Sequence, residues 1–235
     1  MEPCPLLIER KPGVVNLAVR TTAGAKSYSF GAALSLDAAF AGATTMFEVP
    51  ANGTFSSPTL RKSKINAVYE SNRGLTRVQF APVDYASASI PGDTYTTFVR
   101  VRERNAAGTL LAAGPIFVVP PGDFFWTNRR SLTLNGTAPS VSGLGANNYP
   151  PPGVMRFVLP QFADQLQIMN TGAANTLYVS FGQGLQETPI PPTAAGVPIV
   201  SVPFWQAGSA ELFIRAEGGT TTFTVIAAIV NGIHA

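Results

Sequence analysis

The chain has 235 residues, of which 12% are charged and 46% hydrophobic, and its formal net charge is +3. This composition excludes a highly charged disordered chain, and so small a net charge gives little support to nucleic-acid binding. The 22 Gly and 20 Pro residues are aperiodic. Such a pattern is typical of many short strands joined by tight turns, and it leaves little room for long helices.

Residues 1–45 are predicted to be an extended N-terminal arm with a lead-in strand. Pro3, Pro5 and Pro12 disfavour an early helix; a strand is expected over residues 14–20, and residues 35–40 fit a single helical turn. Two interpretations remain open for this region: a mobile leader into the fold, or an arm that reaches onto a neighbouring subunit.

Residues 46–120 are predicted to form the first β domain. Alternating apolar residues indicate strands over 45–50, 64–70, 75–80, 94–104 and 109–120, with turns at residues 72–74 and 105–108. Arg100, Arg102 and Arg104 recur at period two in one of these strands, so they form a stripe on one face. That stripe is either a solvated strand face or a contact for an acidic protein surface, since no aromatic residues are interleaved with it for base stacking.

Residues 121–153 are predicted to be a connector that contains one strand over residues 131–134. The sequence Pro-Pro-Gly at residues 120–122 marks the boundary, and so long an irregular stretch favours a division into two domains. The connector carries the aromatic run Phe124, Phe125 and Trp126 and the basic pair Arg129 and Arg130.

Residues 154–235 are predicted to form the second β domain. Strands are expected over residues 155–159, 165–170, 177–181, 197–202, 209–216 and 220–230, with hairpin turns at residues 171–175 and 217–219 and a proline loop at residues 189–192. Phe204 and Trp205 form an aromatic pair that is expected to anchor a core or an interface.

Taken together, the patterns predict an all-β fold with two β-sandwich-like domains and the extended N-terminal arm. They do not distinguish a jelly roll from an immunoglobulin-like sandwich, because both have short alternating strands with turns at similar spacing.

Residues able to carry out catalysis are few. The only histidine is His234, beside the C-terminus, and the only cysteine is Cys4, so neither a nucleophile–histidine pair nor a zinc site of the usual kind is expected. Phosphate-binding glycine motifs are absent. A carboxylate pair such as Asp84 with Asp93 is left as a remote alternative. We therefore predict no enzymatic activity, no cofactor and no metal site.

The N-terminal sequence lacks the basic, apolar and small-residue pattern of a signal peptide, and the apolar runs are too short to span a bilayer. A protein made in the cytoplasm and not bound to a membrane is expected.

The second half resembles β domains in virion proteins of tailed bacteriophages, especially auxiliary capsid proteins of the decoration or cement type. The similarity covers about residues 154–230 and is carried by segments 157–160, 166–170, 175–182, 189–191 and 210–226. In the first half, residues 99–120 look like an immunoglobulin-like strand–turn–strand ending, which is also frequent in virion proteins. Each segment is common among β proteins, so the resemblance is one of general character.

The resemblance implies a non-enzymatic structural protein that is located in the virion and assembles from the host cytoplasm. Its implied partners are the major capsid protein or other virion proteins, and it is implied to be a homo-oligomer, either a trimer or a dimer. A tail, baseplate or head-fibre component, with a possible receptor-binding role, is the alternative. The candidate interface residues are Phe124, Phe125, Trp126, Arg129, Arg130, Phe204, Trp205, Arg100, Arg102 and Arg104.

Overall fold

The computed structural model describes residues 6–11, 14–20, 27–42, 45–50, 66–70, 75–80, 96–105, 107–120, 131–142, 153–159, 165–181, 187–192, 199–203 and 211–228. These residues are mostly β-strands with one short α-helix, which confirms the predicted all-β class. The chain divides into two compact units, Met1–Thr127 and Asn128–Ala235.

The first unit holds eight strands and the helix. Their bounds are β1 Leu6–Lys11, β2 Val14–Arg20, β3 Ser27–Ala33, α1 Leu36–Gly42, β4 Thr45–Pro50, β5 Asn66–Glu70, β6 Leu75–Phe80, β7 Thr97–Arg104 and β8 Leu110–Val119. Within this unit the strands pair antiparallel in the orders β1-β2-β6-β5 and β8-β7-β3-β4. The predicted hairpin partners do pair, β5 with β6 and β7 with β8, while the predicted turn at residues 72–74 lies outside the described residues.

The predicted N-terminal arm contributes strands to the sheets of the first unit. Strand β2 pairs with β6, and β3 pairs with both β4 and β7. An arm that reaches onto a neighbouring subunit is therefore not confirmed. Strands β1 and β3 were not predicted, because β1 contains three charged residues and β3 lies in a stretch rich in Ala, Gly and Ser.

Helix α1 confirms the predicted helical turn. Ser35 begins it, since its hydroxyl oxygen accepts a hydrogen bond from the backbone N–H of Ala38 at 3.2 Å, an interaction typical of a helix N-cap. Leu36 and Ala39 are completely buried, so one face of this short helix lies against the rest of the first unit.

The second unit holds eight strands. Their bounds are β9 Ser131–Ala138, β10 Met155–Val158, β11 Gln165–Asn170, β12 Thr176–Phe181, β13 Thr188–Ile190, β14 Ile199–Pro203, β15 Glu211–Glu217 and β16 Thr221–Ala228. The predicted connector strand is thus longer than expected, and β9 pairs along its whole length with β16. The second compact unit accordingly begins at Asn128, well before the predicted start at residue 154.

Strand pairing in the second unit is nested. The first strand pairs with the last, β9 with β16; then β10 pairs with β15, β11 with β14 and β12 with β13, all antiparallel. Two further pairings, β11 with β16 and β12 with β15, gather the strands into two sets of four, ordered β14-β11-β16-β9 and β13-β12-β15-β10.

The two hairpins predicted in the second unit are wrong. Strands β11 and β12 lie in different sets, and so do β15 and β16, so the segments at residues 171–175 and 218–220 carry the chain from one set to the other. Gly and Asn permit either kind of connection, because both need tight backbone turns. The turn residues alone therefore did not reveal the long-range partners.

The core of the second unit lies between the two sets of strands. Alternate residues of β9, β11 and β16 are buried, as are alternate residues of β10. The rings of Phe157 on β10 and Phe223 on β16 are stacked, with centroids 6.4 Å apart, and each ring is almost fully buried. Gly136 lies directly opposite Phe223 on the neighbouring strand.

Candidate interaction surface

Seven of the predicted interface residues cannot be placed, because they lie outside the described residues. They are Phe124, Phe125, Trp126, Arg129, Arg130, Phe204 and Trp205. Their contribution to an interface stays a prediction.

Two members of the predicted arginine stripe on β7 bind the last turn of α1. The Nη1 of Arg100 donates to the carbonyl of Phe40 at 2.9 Å, and the Nη2 of Arg102 donates to the carbonyl of Ala39 at 3.0 Å. The guanidinium of Arg100 also lies 5.4 Å from the ring centroid of Phe40. Cations at a helix C-terminus satisfy free carbonyls and complement the helix dipole, so these arginines hold α1 against the sheet.

Burial of the stripe has an electrostatic cost. Desolvation, followed by repulsion from Arg102, lowers the pKa of Arg100 to about 10. Desolvation, followed by repulsion from Arg104, also lowers the pKa of Arg102. Arg102 is only 7% exposed. The interpretation of the stripe as a solvated strand face is therefore wrong for this residue, whereas a role in contacting an acidic partner stays a prediction.

A further arginine, Arg215 on β15, lies in a polar cluster within the second unit. Its Nε and Nη2 donate to the two carboxylate oxygens of Glu187 at 2.8 and 2.6 Å, and its Nη1 donates to the carbonyl of Val141 at 2.9 Å. The guanidinium lies 4.2 Å from the ring centroid of Tyr178. Since Arg215 is 4% exposed, this bidentate pair is part of the architecture and is not presented to solvent.

On β9, β11 and β16, the described side chains that face away from the core carry no charge, and we call this surface the neutral face. It consists of Ser131, Thr133, Asn135 and Thr137 on β9, Gln165, Gln167 and Met169 on β11, and Thr222, Thr224, Ile226 and Ala228 on β16. These side chains are exposed or half-buried, whereas those between them are buried. Strand register places them in rows, such as Met169 beside Thr224 and Thr224 beside Asn135.

The neutral face offers hydroxyl and amide groups around a few apolar side chains. The hydroxyl of Thr224 donates to the Oδ1 of Asn135 at 2.8 Å, and the hydroxyl of Thr171 donates to that of Thr222 at 3.0 Å. A partner that covers this surface would not need to desolvate any ion. Charged residues are depleted at the centres of protein interfaces, and the neutral face shares this feature with them.

In the other set of strands in this unit, the side that faces away from the core between the two sets differs from the neutral face in its chemistry. It carries Arg156, which forms an ion pair with Glu211 and lies over the ring of Phe213, in addition to the Arg215 cluster. The charges on that side are therefore paired within the unit, whereas the neutral face has none.

The neutral face was missed by the sequence analysis. The available signal was that the polar positions of three alternating strands are occupied only by Ser, Thr, Asn and Gln. That the three strands are neighbours depends on long-range pairing, which the alternation does not encode.

Comparison with known proteins identifies no relative. No protein-family model matches the chain, and no curated protein sequence matches it.

Within the part of the chain that the structure describes, no three His, Cys, Asp or Glu side chains are grouped as a metal site would require. No helix in the described ranges is long and apolar enough to cross a membrane.

Proposed function

We propose that this protein is a non-enzymatic structural protein of a phage virion that binds and stabilises the capsid shell, as a decoration or cement protein does. The observation that best supports the proposal is the neutral face, an uncharged surface on a β-sheet of four strands. The general resemblance of residues 154–230 to phage virion β domains points to the same class.

We further propose that the second unit is a jelly-roll β-sandwich. The support is its nested pairing, in which β9 pairs with β16, β10 with β15, β11 with β14 and β12 with β13. A jelly roll is a long antiparallel ribbon wrapped into two sheets, and this fold is used by viral capsid domains as well as by lectins and cupins. The fold alone does not select among these functions, so the proposal relies on the surface.

The proposed mechanism is adhesion by many copies. With strands spaced about 4.8 Å apart and a rise of about 3.3 Å per residue, the three strands of the neutral face cover roughly 350 Å². Burial of such a face would remove about 700 Å² of total surface, which is below the roughly 1,000 Å² expected of a stable interface. A single contact would therefore be weak, and repetition around a symmetric shell would supply the required avidity.

Electron microscopy of purified particles tests the proposal through the position and number of copies. Hundreds of copies on the shell would support a cementing role. A few copies at one vertex or on the tail would reject it in favour of a tail, baseplate or head-fibre component, and absence from particles would reject both.

A binding assay then tests the neutral face itself, using purified protein and shells that lack it. Gln167→Lys places a charge at the middle of the face and is expected to weaken shell binding about tenfold or more, because the partner would have to desolvate that charge. Ala38→Lys, at an exposed position on α1, is the matched control and should bind as the wild type does. Equal binding by both variants would exclude the neutral face as the surface that binds the shell.

A further inference from the structure

One edge of the second unit lacks the features that usually protect a sheet edge. Within the described strands, β9 ends its set of four and is hydrogen-bonded to β16 alone. Its eight residues, SLTLNGTA, include neither a charged residue nor a proline. Exposed edges are normally shielded by charges, prolines, bulges or very short strands, because their free backbone groups pair readily with another strand.

Strands β13 and β14, which lie at two other edges of this unit, do carry features that usually shield an edge. Strand β13 has only three residues and includes Pro189, and β14 ends at Pro203. By contrast, β9 pairs with β16 in continuous register without a bulge. Among the described strands, β9 is therefore an edge of eight residues without a charge, a proline or a bulge.

We propose that residues 131–135 of β9 pair antiparallel with the same segment of a second copy, about a two-fold axis at Thr133. The contact joins the β9 sheets of two copies into one continuous sheet. This inference deepens the proposed function, on which it rests for the expectation that the protein assembles, and it assigns the surface of self-association.

The side chains of the segment suit pairing with an identical copy. A two-fold axis perpendicular to the sheet keeps each face on its own side, so Leu132 lies opposite Leu134 of the second copy and Ser131 lies opposite Asn135. Thr133 lies opposite Thr133 of the second copy. Leu132 and Leu134 are buried, and the three polar residues are exposed. Cross-strand Thr pairs are favourable, whereas like charges directly opposite one another are unfavourable, and this segment contains no charge.

The same geometry favours a second copy over an unrelated strand. A closed two-fold contact uses one surface twice, so complementarity requires only that the segment match itself. Here apolar residues oppose apolar residues and polar residues oppose polar residues, as just described.

Sedimentation equilibrium of the full-length protein provides the first test. The wild type is expected to form a dimer, and Thr133→Lys should weaken dimerisation about tenfold or more, because it places two ammonium groups opposite each other. Gln167→Lys is the control: it lies on the same neutral face but two strands away from the edge, so it should dimerise as the wild type does. Thermal unfolding of each variant verifies that the fold is intact.

Disulfide trapping provides the second test. In a Cys4→Ser background, Thr133→Cys should form a disulfide-linked dimer on mild oxidation, since directly opposite Cβ atoms of paired strands lie about 4.5–5.5 Å apart. Gln167→Cys in the same background should remain monomeric under denaturing, non-reducing conditions.

Several outcomes would overturn the inference: a monomeric wild type, unchanged dimerisation of a folded Thr133→Lys variant, equal disruption by Gln167→Lys, or trapping at residue 167 in place of residue 133. Because Thr133 also lies on the neutral face, loss of shell binding by a monomeric Thr133→Lys variant would bear on the proposed function and would not support pairing at the edge. Failure of shell binding with dimerisation intact would instead refute the proposed function and leave the β9 pairing standing.

Discussion

At the scale of single residues, the pairing of Arg215 with Glu187 is expected to make the stability of the second unit sensitive to the loss of either partner alone. Arg215 is 4% exposed, and the Glu187 side chain is 14% exposed, so both charges are largely removed from water. The hydrogen bond to Glu187 is the main cause that raises the pKa of Arg215. A raised pKa means that the contribution of Arg215 is fully present below the ordinary pKa of an arginine, and it should not vary across neutral pH.

Removing one partner should therefore cost more than removing both. Arg215→Met is expected to reduce the free energy of unfolding by about 3–5 kcal/mol, because it leaves a largely buried carboxylate without its bidentate partner. The double variant Arg215→Met/Glu187→Met should recover much of that loss, since no buried charge remains. Urea unfolding at neutral pH measures both values, and a double variant no more stable than the single one would contradict this account.

At the scale of elements, the side chain of Asn170 holds together the segments that cross between the two sets of strands. It is completely buried, and its Nδ2 donates to the carbonyls of Asn175 and Ile190 at 2.8 and 3.0 Å. Its Oδ1 accepts from the backbone N–H of Gly172 at 3.1 Å and from the hydroxyl of Thr221 at 2.9 Å. One amide thus links the end of β11 to β13, to β16 and to the turn before β12.

Asn170→Leu is expected to destabilise the protein by about 2–4 kcal/mol, because it leaves several buried donors and acceptors without partners. The matched control is Thr222→Val, which removes only the exposed hydroxyl bond to Thr171 and should cost no more than about 0.5 kcal/mol. Chemical denaturation of the two variants gives the comparison. A similar small loss for both would show that Asn170 does not hold these segments together.

Gly172 takes part in the same group of contacts around Asn170. A Cβ atom built there would lie 1.9 Å from the hydroxyl oxygen of Thr221, the group that donates to Asn170. The close approach of the turn to β16 therefore requires glycine at this position.

Alternation of apolar residues predicted most strands of this fold but few of their partners. Local patterns located β2, β4, β6 and β11 with their observed bounds, because short strands bounded by turn residues leave a signal that depends only on local sequence. The pairing of β9 with β16 joins residues far apart in the chain, and neither strand carries a local signal of the other. The neutral face depends on this pairing, so it could not be derived from the sequence alone.

The candidate site was predicted least well where charge was taken as a sign of exposure. Alternation correctly placed Arg100 and Arg102 on one face of β7, but that face is covered by α1, whose last carbonyls accept hydrogen bonds from them. An arginine on a strand is thus compatible with burial whenever a helix end supplies acceptors. The composition of a strand face did not reveal which element covers it.

At the scale of the whole molecule, the chain divides into two compact units, and a core substitution in one unit is expected to act mainly on that unit. Phe223 in the second unit is 1% exposed, and Ile116 in the first is completely buried. Phe223→Ala is expected to cost about 3–5 kcal/mol and Ile116→Ala about 2–5 kcal/mol, since each leaves a cavity. Hydrogen exchange followed by mass spectrometry should show the loss of amide protection in residues 131–228 for the first variant and in residues 97–119 for the second, because local stability follows cooperative units. Loss of protection in both regions for either variant would show that the two units unfold as one.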